Sequence, residues 1–286
     1  MKNLQRNLLV TVLAILCCMV VRAGEDHAPV QEGMGTVFIA HRGLIDGSHA
    51  ENTLEAILSA CQSEVWGVEY DVRLTQDGRL VVIHDETIDR TSDGKGKVRH
   101  LALKELREHN FGCRRGLSGI RIPAFEEAFE LCEQYHKHQI IEIKDEGAEA
   151  WMRAADLVAE MILSRDAQER AVVASFMPAV LQYVKERHPG IRVRLFVGKG
   201  TAERCSRNGR LVVVAGSAEA QCLAAVESVG LRFDCLSEDI VGELHRRGLL
   251  VGAWGDINGA ECRRLAEMGV DDITMENFGT LHWGGR

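Results

Sequence analysis

HRRGLLVGAW, His245 to Trp254, is the stretch on which the fold turns. A charged helical segment stops at a glycine, and an apolar run follows with no spacer. Glycine just past a helix end, followed at once by a strand, is the connection that returns a helix to a parallel sheet. Related phrases stand at ERHPGIRVRLF (Glu186–Phe196), ESVGLRFDCL (Glu227–Leu236) and AEMGVDDITM (Ala266–Met275). Their recurrence predicts an α/β chain in which strand and helix alternate.

Working outward, candidate strands are Val37–Ala40, Gly67–Val72, Leu80–His84, Ile140–Lys144, Val172–Ser175, Val193–Phe196, Leu231–Leu236, Leu249–Trp254 and Val270–Met275. Most are separated by one amphipathic helix. In the first helix, Leu54, Ile57, Leu58 and Cys61 recur at i, i+3, i+4 and i+7, with Asn52 and Glu55 as its expected capping box. Such units repeated over about 250 residues predict a (β/α)8 TIM barrel, with an open doubly wound sheet as the rival. The candidates exceed eight, so one is spurious or lies outside the barrel. Gly67–Val72 and Leu80–His84 are joined by too few residues for a crossover helix, which distorts that part of the barrel. Asp85–Pro123, rich in glycine and basic residues at SDGKGKV, reads as a small insertion after the third strand.

The totals fit one such domain: 286 residues, 46% hydrophobic and 27% charged, with four prolines. Residues 1–23 are set apart. Lys2 and Arg6 precede an uncharged run from Leu8 to Val21 that ends in Val21-Arg22-Ala23, the pattern of a signal peptide. The run is short of the about 20 residues a membrane span needs, and an uncleaved anchor is the competing reading. Leu16 is bulky where a lipobox before Cys17 takes a small residue, so export to a periplasm or medium is expected without a lipid anchor or stable membrane span in the mature chain. The domain is expected over 36–286. Removing Lys2, Arg6 and Arg22 takes the formal charge from −8 to −11, which argues against nucleic acid as a partner. Seven cysteines follow residue 23. Cys61 and Cys132 read as small core residues on helix faces, and Cys205 with Cys222 is the pair to test for a disulfide.

Strand alternation sends Glu69 and Asp71 of EYD to one face, and pairs Glu142 with Lys144 in EIK. Unpaired burial of these groups costs several kcal/mol each, roughly, so a dry core is a poor place for them. At the C-terminal mouth of a parallel barrel, Glu69, Asp71 and Glu142 form either an oxygen-rich site for a hard divalent cation or a rim of salt bridges. His41 and His84 each follow an apolar strand directly, and both stand at the same mouth if the two strands point the same way. Two histidines can serve as general base and general acid. With Arg42 and Lys144 to neutralise anionic oxygens, the inventory fits phosphodiester cleavage.

The motifs HRG (41–43), ENT (51–53), ExD (69–71), LTQDGRLVVIHDETIDRTSDGKGKV (Leu74–Val98), RIPAFEEA (Arg121–Ala128) and EIK (142–144) closely resemble the glycerophosphodiester phosphodiesterase family. The likeness runs on more loosely through SFMP (Ser175–Pro178), VGAWGDIN (Val251–Asn258) and GVDDITMENF (Gly269–Phe278). It implies a distorted TIM barrel that hydrolyses small-molecule glycerophosphodiesters to glycerol 3-phosphate and an alcohol with a divalent cation, Ca²⁺ or Mg²⁺. Carried over by position, it implies His41 and His84 as the acid/base pair and Glu69, Asp71 and Glu142 as metal ligands. Arg42 and Lys144 are implied to bind phosphate, with Glu51 as orienter of Arg42 and Trp254 kept at the substrate. The family often uses the substrate's own glycerol 2-hydroxyl as first nucleophile. Ala50, WGDIN (Trp254–Asn258) and MENF (Met275–Phe278) depart from the family pattern and are expected to lie away from the metal and proton-transfer positions. A lysophospholipase D-type or other phosphodiesterase on the same barrel, and a non-catalytic phosphodiester-binding protein, are the alternatives.

Overall fold

A computed structural model describes residues 35–198, 200, 206–207, 210–211, 222–223 and 225–276. The expected signal peptide (1–23) and Cys205 lie outside the described residues. The strands are β1 (Val37–His41), β2 (Gly67–Leu74), β3 (Leu80–Val82), β4 (His138–Ile143), β5 (Ala171–Ser175), β6 (Arg192–Val197), β7 (Ser206–Arg207), β8 (Arg210–Leu211), β9 (Ser228–Arg232), β10 (Leu250–Trp254) and β11 (Asp272–Met275). Between them lie α1 (Leu54–Gln62), α2 (Leu103–Leu106), α3 (Phe125–Gln134), α4 (Ala148–Ser164), α5 (Pro178–Arg187), α6 (Glu238–Arg246) and α7 (Gly259–Glu267).

Eight strands run parallel in the order β1-β11-β10-β9-β6-β5-β4-β2, and β2 pairs back to β1. The sheet therefore closes into the (β/α)8 barrel expected from the sequence. β3 is the surplus candidate: it pairs antiparallel to β2, with Arg73 opposite Val81. The turn between them is too tight for a crossover, with Gly78 at φ 75° and Thr75 N–H donating to the Arg79 carbonyl at 2.8 Å. The inserted segment beyond β3 packs Ile88, Val98, Leu106, Phe111 and Ile122 with Val81 and Ile83 into a separate small core.

Outward residues of the barrel strands meet the helices in the main core, where Cys61 and Cys132 are buried with their Sγ atoms 4.0 Å apart. Gly248 and Gly269 end α6 and α7 at φ 77° and 81°, a conformation that costs glycine little. Gly230 differs from that expectation. It lies inside β9, and the run read as strand Leu231–Leu236 becomes a 3₁₀ turn at Phe233–Cys235. A Cβ at Gly230 would sit 2.6 Å from the Phe196 ring, so the position serves the barrel interior rather than a helix end.

Inside the barrel, Ile39, Ile140, Ala174 and Phe196 form an apolar plate. Two residues further along toward the mouth stand His41 on β1, Glu142 on β4 and, just past the end of β5, Phe176. No helix among the described residues is long and apolar enough to cross a membrane.

Candidate active site

Strand register assembles the site. His41 on β1 lies opposite Glu69 on β2, and Asp71 lies opposite Glu142 on β4. Alternation turns these carboxylates into the barrel and sends Tyr70 out to the helices, where its hydroxyl donates to Gln139 at 2.6 Å. Glu69, Asp71 and Glu142 are all buried, and each offers one oxygen within 4.8 Å of the others.

The turn after β1 is built by backbone strain and close packing. Arg42 holds φ 57° and Gly43 φ 84°. A Cβ at Gly43 would lie 2.7 Å from the Ala56 backbone, so only glycine lets this turn settle on α1. The Arg42 carbonyl accepts from Asn52 N–H at 2.9 Å, and its own N–H donates to Glu69 at 3.1 Å. The guanidinium faces two carboxylates: Nη1 donates to Glu51 at 2.7 Å and Nε lies 3.4 Å from Asp71. Asn52 is not the helix cap. Thr53 takes that place by accepting from Ala56 N–H at 3.2 Å. The Asn52 amide instead donates to Asp71 at 2.8 Å, giving a buried carboxylate the donor it needs, while Thr53 already satisfies the helix end.

Lys144 Nζ reaches Asp71 Oδ1 at 2.8 Å and Glu142 Oε1 at 2.5 Å. Burial would raise Asp71, yet Lys144 and Arg42 outweigh it and hold that carboxyl well below the usual range. Burial, reinforced by Asp71, raises Glu69 and pushes Glu142 up to about 8. Two cations thus leave the three-carboxylate cluster under-compensated. An all-oxygen, buried and electron-rich donor set of this kind fits a hard divalent cation such as Ca²⁺ or Mg²⁺.

The histidines have separate partners. His84 Nδ1 lies 2.7 Å from Asp85, and its carbonyl accepts from Arg73 Nε at 2.9 Å. His41 Nδ1 lies 3.2 Å from Glu276, and its Nε2 is 3.8 Å from Glu69. Burial opposes the charged form of both rings. At His84 it prevails, helped by Lys144 and Arg42, and the pKa falls. At His41 the bond to Glu276 and the charge of Glu69 overcome it, and the pKa rises.

A cavity of about 240 Å³ opens at the C-terminal ends of the strands, lined on its polar side by His41, Arg42, Glu69, His84, Glu142 and Lys144. Its other wall is aromatic: Phe176, Phe196 and Trp254, with Trp254 edge-on to Phe176 at 5.5 Å. Trp254 Nε1 donates to the Gly230 carbonyl at 3.1 Å, which fixes the ring. Every site residue expected from the sequence lies at this mouth except Glu51 and Asp71, which stand behind Arg42 and Lys144.

One expectation is corrected here. Glu276, Gly255 and Asp256, in segments expected away from the reacting groups, line the cavity, and Glu276 touches His41. Closure of the barrel sets β11 beside β1, although 235 residues separate this pair. Sequence reading also missed Asn52 as partner of Asp71, and Asp85, Arg90 and Arg73 as supports. Asp85 and Arg90 were visible only as part of the run HDETIDRT (His84–Thr91).

A parallel barrel with this acidic, basic and imidazole-bearing mouth defines a hydrolase-type site, and comparison with known proteins places it. The glycerophosphoryl diester phosphodiesterase family matches residues 41–280. A glycerophosphodiester phosphodiesterase of Caldanaerobacter subterraneus subsp. tengcongensis is 32% identical over 251 residues, covering 87% of this chain and 97% of that one. Among solved structures, one from Silicibacter pomeroyi DSS-3 superposes with a TM-score of 0.73 at 22% identity, covering 85% of this chain and 91% of its own. An Oleispira antarctica phosphodiesterase in complex with the product sn-glycerol-3-phosphate gives 0.70 at 23% identity, covering 84% and 93%. The chain belongs to the glycerophosphoryl diester phosphodiesterase family and is a phosphoric diester hydrolase.

Proposed function

We propose that this chain hydrolyses glycerophosphodiesters to glycerol 3-phosphate and an alcohol by proton transfer through His41 and His84, with a divalent cation held by Glu69, Asp71 and Glu142. The observation that carries the reading is the convergence of both histidines, Arg42, Lys144, Glu69 and Glu142 on one cavity, with Asp71 directly behind them. A bound cation supplies Lewis-acid stabilisation of charge on a phosphoryl oxygen. Arg42 and Lys144 bring the remaining positive charge to the phosphate. Product binding by the Oleispira antarctica relative supports the same product here.

The two histidine environments divide the roles. Asp85 at Nδ1 favours the tautomer that leaves Nε2 of His84 free to accept, and the lowered pKa keeps that ring neutral. His84 takes the proton from the attacking hydroxyl, either the glycerol 2-hydroxyl or water. His41, whose pKa is raised, holds a proton and gives it to the departing alkoxide. If the 2-hydroxyl attacks, a cyclic phosphate forms and water opens it with the roles reversed.

The test is release of glycerol 3-phosphate from glycerophosphocholine, with and without chelator, by wild type, His41→Ala and His84→Ala. Chelation and either substitution are expected to lower kcat by about 10²-fold or more. Undiminished turnover in His41→Ala would sink the mechanism. The aromatic wall, with Phe176 42% exposed, also suits an alcohol that carries an acyl chain. Comparing glycerophosphocholine with a lysophospholipid separates that reading. Export follows from residues 1–23 on sequence grounds and is checked by the N-terminus of the mature protein.

A further inference from the structure

Arg90 lies in the inserted segment, half exposed, and does not line the cavity. Its guanidinium nevertheless forks onto two carboxylates. Nη1 and Nη2 donate to the two oxygens of Glu51, both at 2.7 Å. Nε and Nη2 donate to Asp85 at 2.6 and 3.1 Å. Glu51 is the acceptor for Arg42, and Asp85 is the partner of His84. One unbroken chain therefore runs from Arg42 through Glu51, Arg90 and Asp85 to His84. It joins the phosphate-facing guanidinium to the proton-accepting ring.

An isolated exposed ion pair contributes little, about 0–1 kcal/mol in general. Arg90 is not isolated: both edges of its planar fork are engaged, an arrangement lysine cannot copy. Its backbone is also held. Ile88 and Ser92 on either side are fully buried, Ser92 Oγ donates to the Ile88 carbonyl at 2.7 Å, and Asp89 accepts from Gly96 N–H at 2.9 Å. The small core of the insertion thus presents Arg90 from a fixed base. Arg90 also sets the electrostatics of both carboxylates: its bonds hold Asp85 at about 2, and against burial they keep Glu51 low, so each remains a charged acceptor.

We infer that Arg90 is a positioning residue for the reaction. By clamping Glu51 and Asp85 together, it fixes the Arg42 guanidinium and the His84 ring in one mutual geometry. The insertion after β3 is then the part of the fold that aligns phosphate binding with proton transfer.

This inference rests on the roles proposed above for Arg42 and His84. It is tested by steady-state kinetics on glycerophosphocholine with Mg²⁺, using the full chain and correcting for folded fraction. Arg90→Ala is expected to lower kcat by about 10-fold or more and to raise KM, the scale of a lost supporting residue. Arg90→Lys should restore the melting temperature but not kcat. With Arg90 present, the effects of Glu51→Gln and Asp85→Asn on kcat/KM should combine to less than their product. In the Arg90→Ala background they should multiply independently. Values of kcat and KM within about twofold of wild type in both Arg90 variants, full recovery by lysine, or a Glu51–Asp85 coupling that survives without Arg90 would each overturn it. Arg42→Ala and His84→Ala run alongside: if either keeps wild-type turnover, the reading of the site itself falls. If both lose turnover while the Arg90 variants keep it, only the clamp falls.

Discussion

Asp272→Asn is the substitution that probes the barrel beneath the site. Arg194 on β6 and Asp272 on β11 form a bidentate pair at 2.8 and 2.9 Å inside the barrel, with only 3% and 7% of their surfaces exposed. Space for the pair comes from Gly252, where a Cβ would sit 1.5 Å from Arg194 Nη2. Among the described residues Arg194 Nε has no hydrogen-bond partner, so Asp272 is the main counterweight to a buried cation. Removing that charge leaves the guanidinium uncompensated, a loss of about 3–5 kcal/mol for pairs broken on one side. In a domain of this size each kcal/mol moves Tm by about 2–4 °C, so Tm should fall by roughly 10 °C. Replacing both partners by apolar groups of similar volume, as in Arg194→Met with Asp272→Leu, removes the stranded charge and should recover most of the loss. Urea unfolding of wild type, each single variant and the double variant gives the cycle. A cost below about 1 kcal/mol for Asp272→Asn, or a double variant as unstable as the sum of its singles, would refute the argument.

Two further outcomes are expected. His138, stacked on Trp66 at 3.6 Å, has its pKa lowered to about 4 by burial and by Arg192 and Arg170. A histidine depressed in the folded state is neutral in both states above about pH 6.5, so its contribution is intact there and is lost as pH falls towards 4. After allowance for its solvent contact the loss is about 2 kcal/mol, and His138→Phe should flatten the stability curve over that window by this amount. An equally steep curve for the phenylalanine variant in urea unfolding would exclude the role. Asn52→Ala removes the amide that donates to Asp71. It should cost about 1–3 kcal/mol of stability and weaken activation by Mg²⁺ or Ca²⁺ about 10- to 100-fold, read by titrating metal into chelated enzyme.

The barrel was legible where small local rules agree. β1 and β10 are apolar runs, and Gly248 and Gly269 announce the helix ends before β10 and β11. β9 was misplaced because Ser228 and Gly230 look like loop residues, while their smallness answers to Phe196 and Arg194 across the interior. Asn52 followed the same logic: local pattern offered a helix cap, and a buried carboxylate on another strand claimed the side chain. The inward carboxylates were legible because period-two alternation exposes an acidic pair such as Glu69 and Asp71. Their supports were not, since Glu276 meets His41 only through barrel closure, and Arg90 meets Glu51 only through the packing of the insertion. Periodicity tells which way a side chain points, and carries no information about what arrives to meet it.

The interior layering explains why so few residues set the electrostatics of this mouth. Ile39, Ile140 and Ala174 make an apolar plate, and His41, Glu142 and Phe176, each two residues later in the chain, line the cavity above it. The Arg194–Asp272 pair lies on the other side of Phe196 and is neutral as a unit. The pair thus adds no net charge beneath the plate, and Glu69, Asp71 and Glu142 stand buried at the boundary between that plate and the open mouth. Interactions at such a boundary are several times stronger than in water. Lys144 can then hold Asp71 strongly ionised while Glu142, bonded to the same ammonium, is pushed up to about 8. The asymmetry follows from count: Arg42 and Lys144 both face Asp71, whereas Glu142 has Lys144 alone. A site built in this way is completed by whatever brings further positive charge to Glu69 and Glu142, and that is the physical argument for a divalent cation at those oxygens rather than a rim of salt bridges.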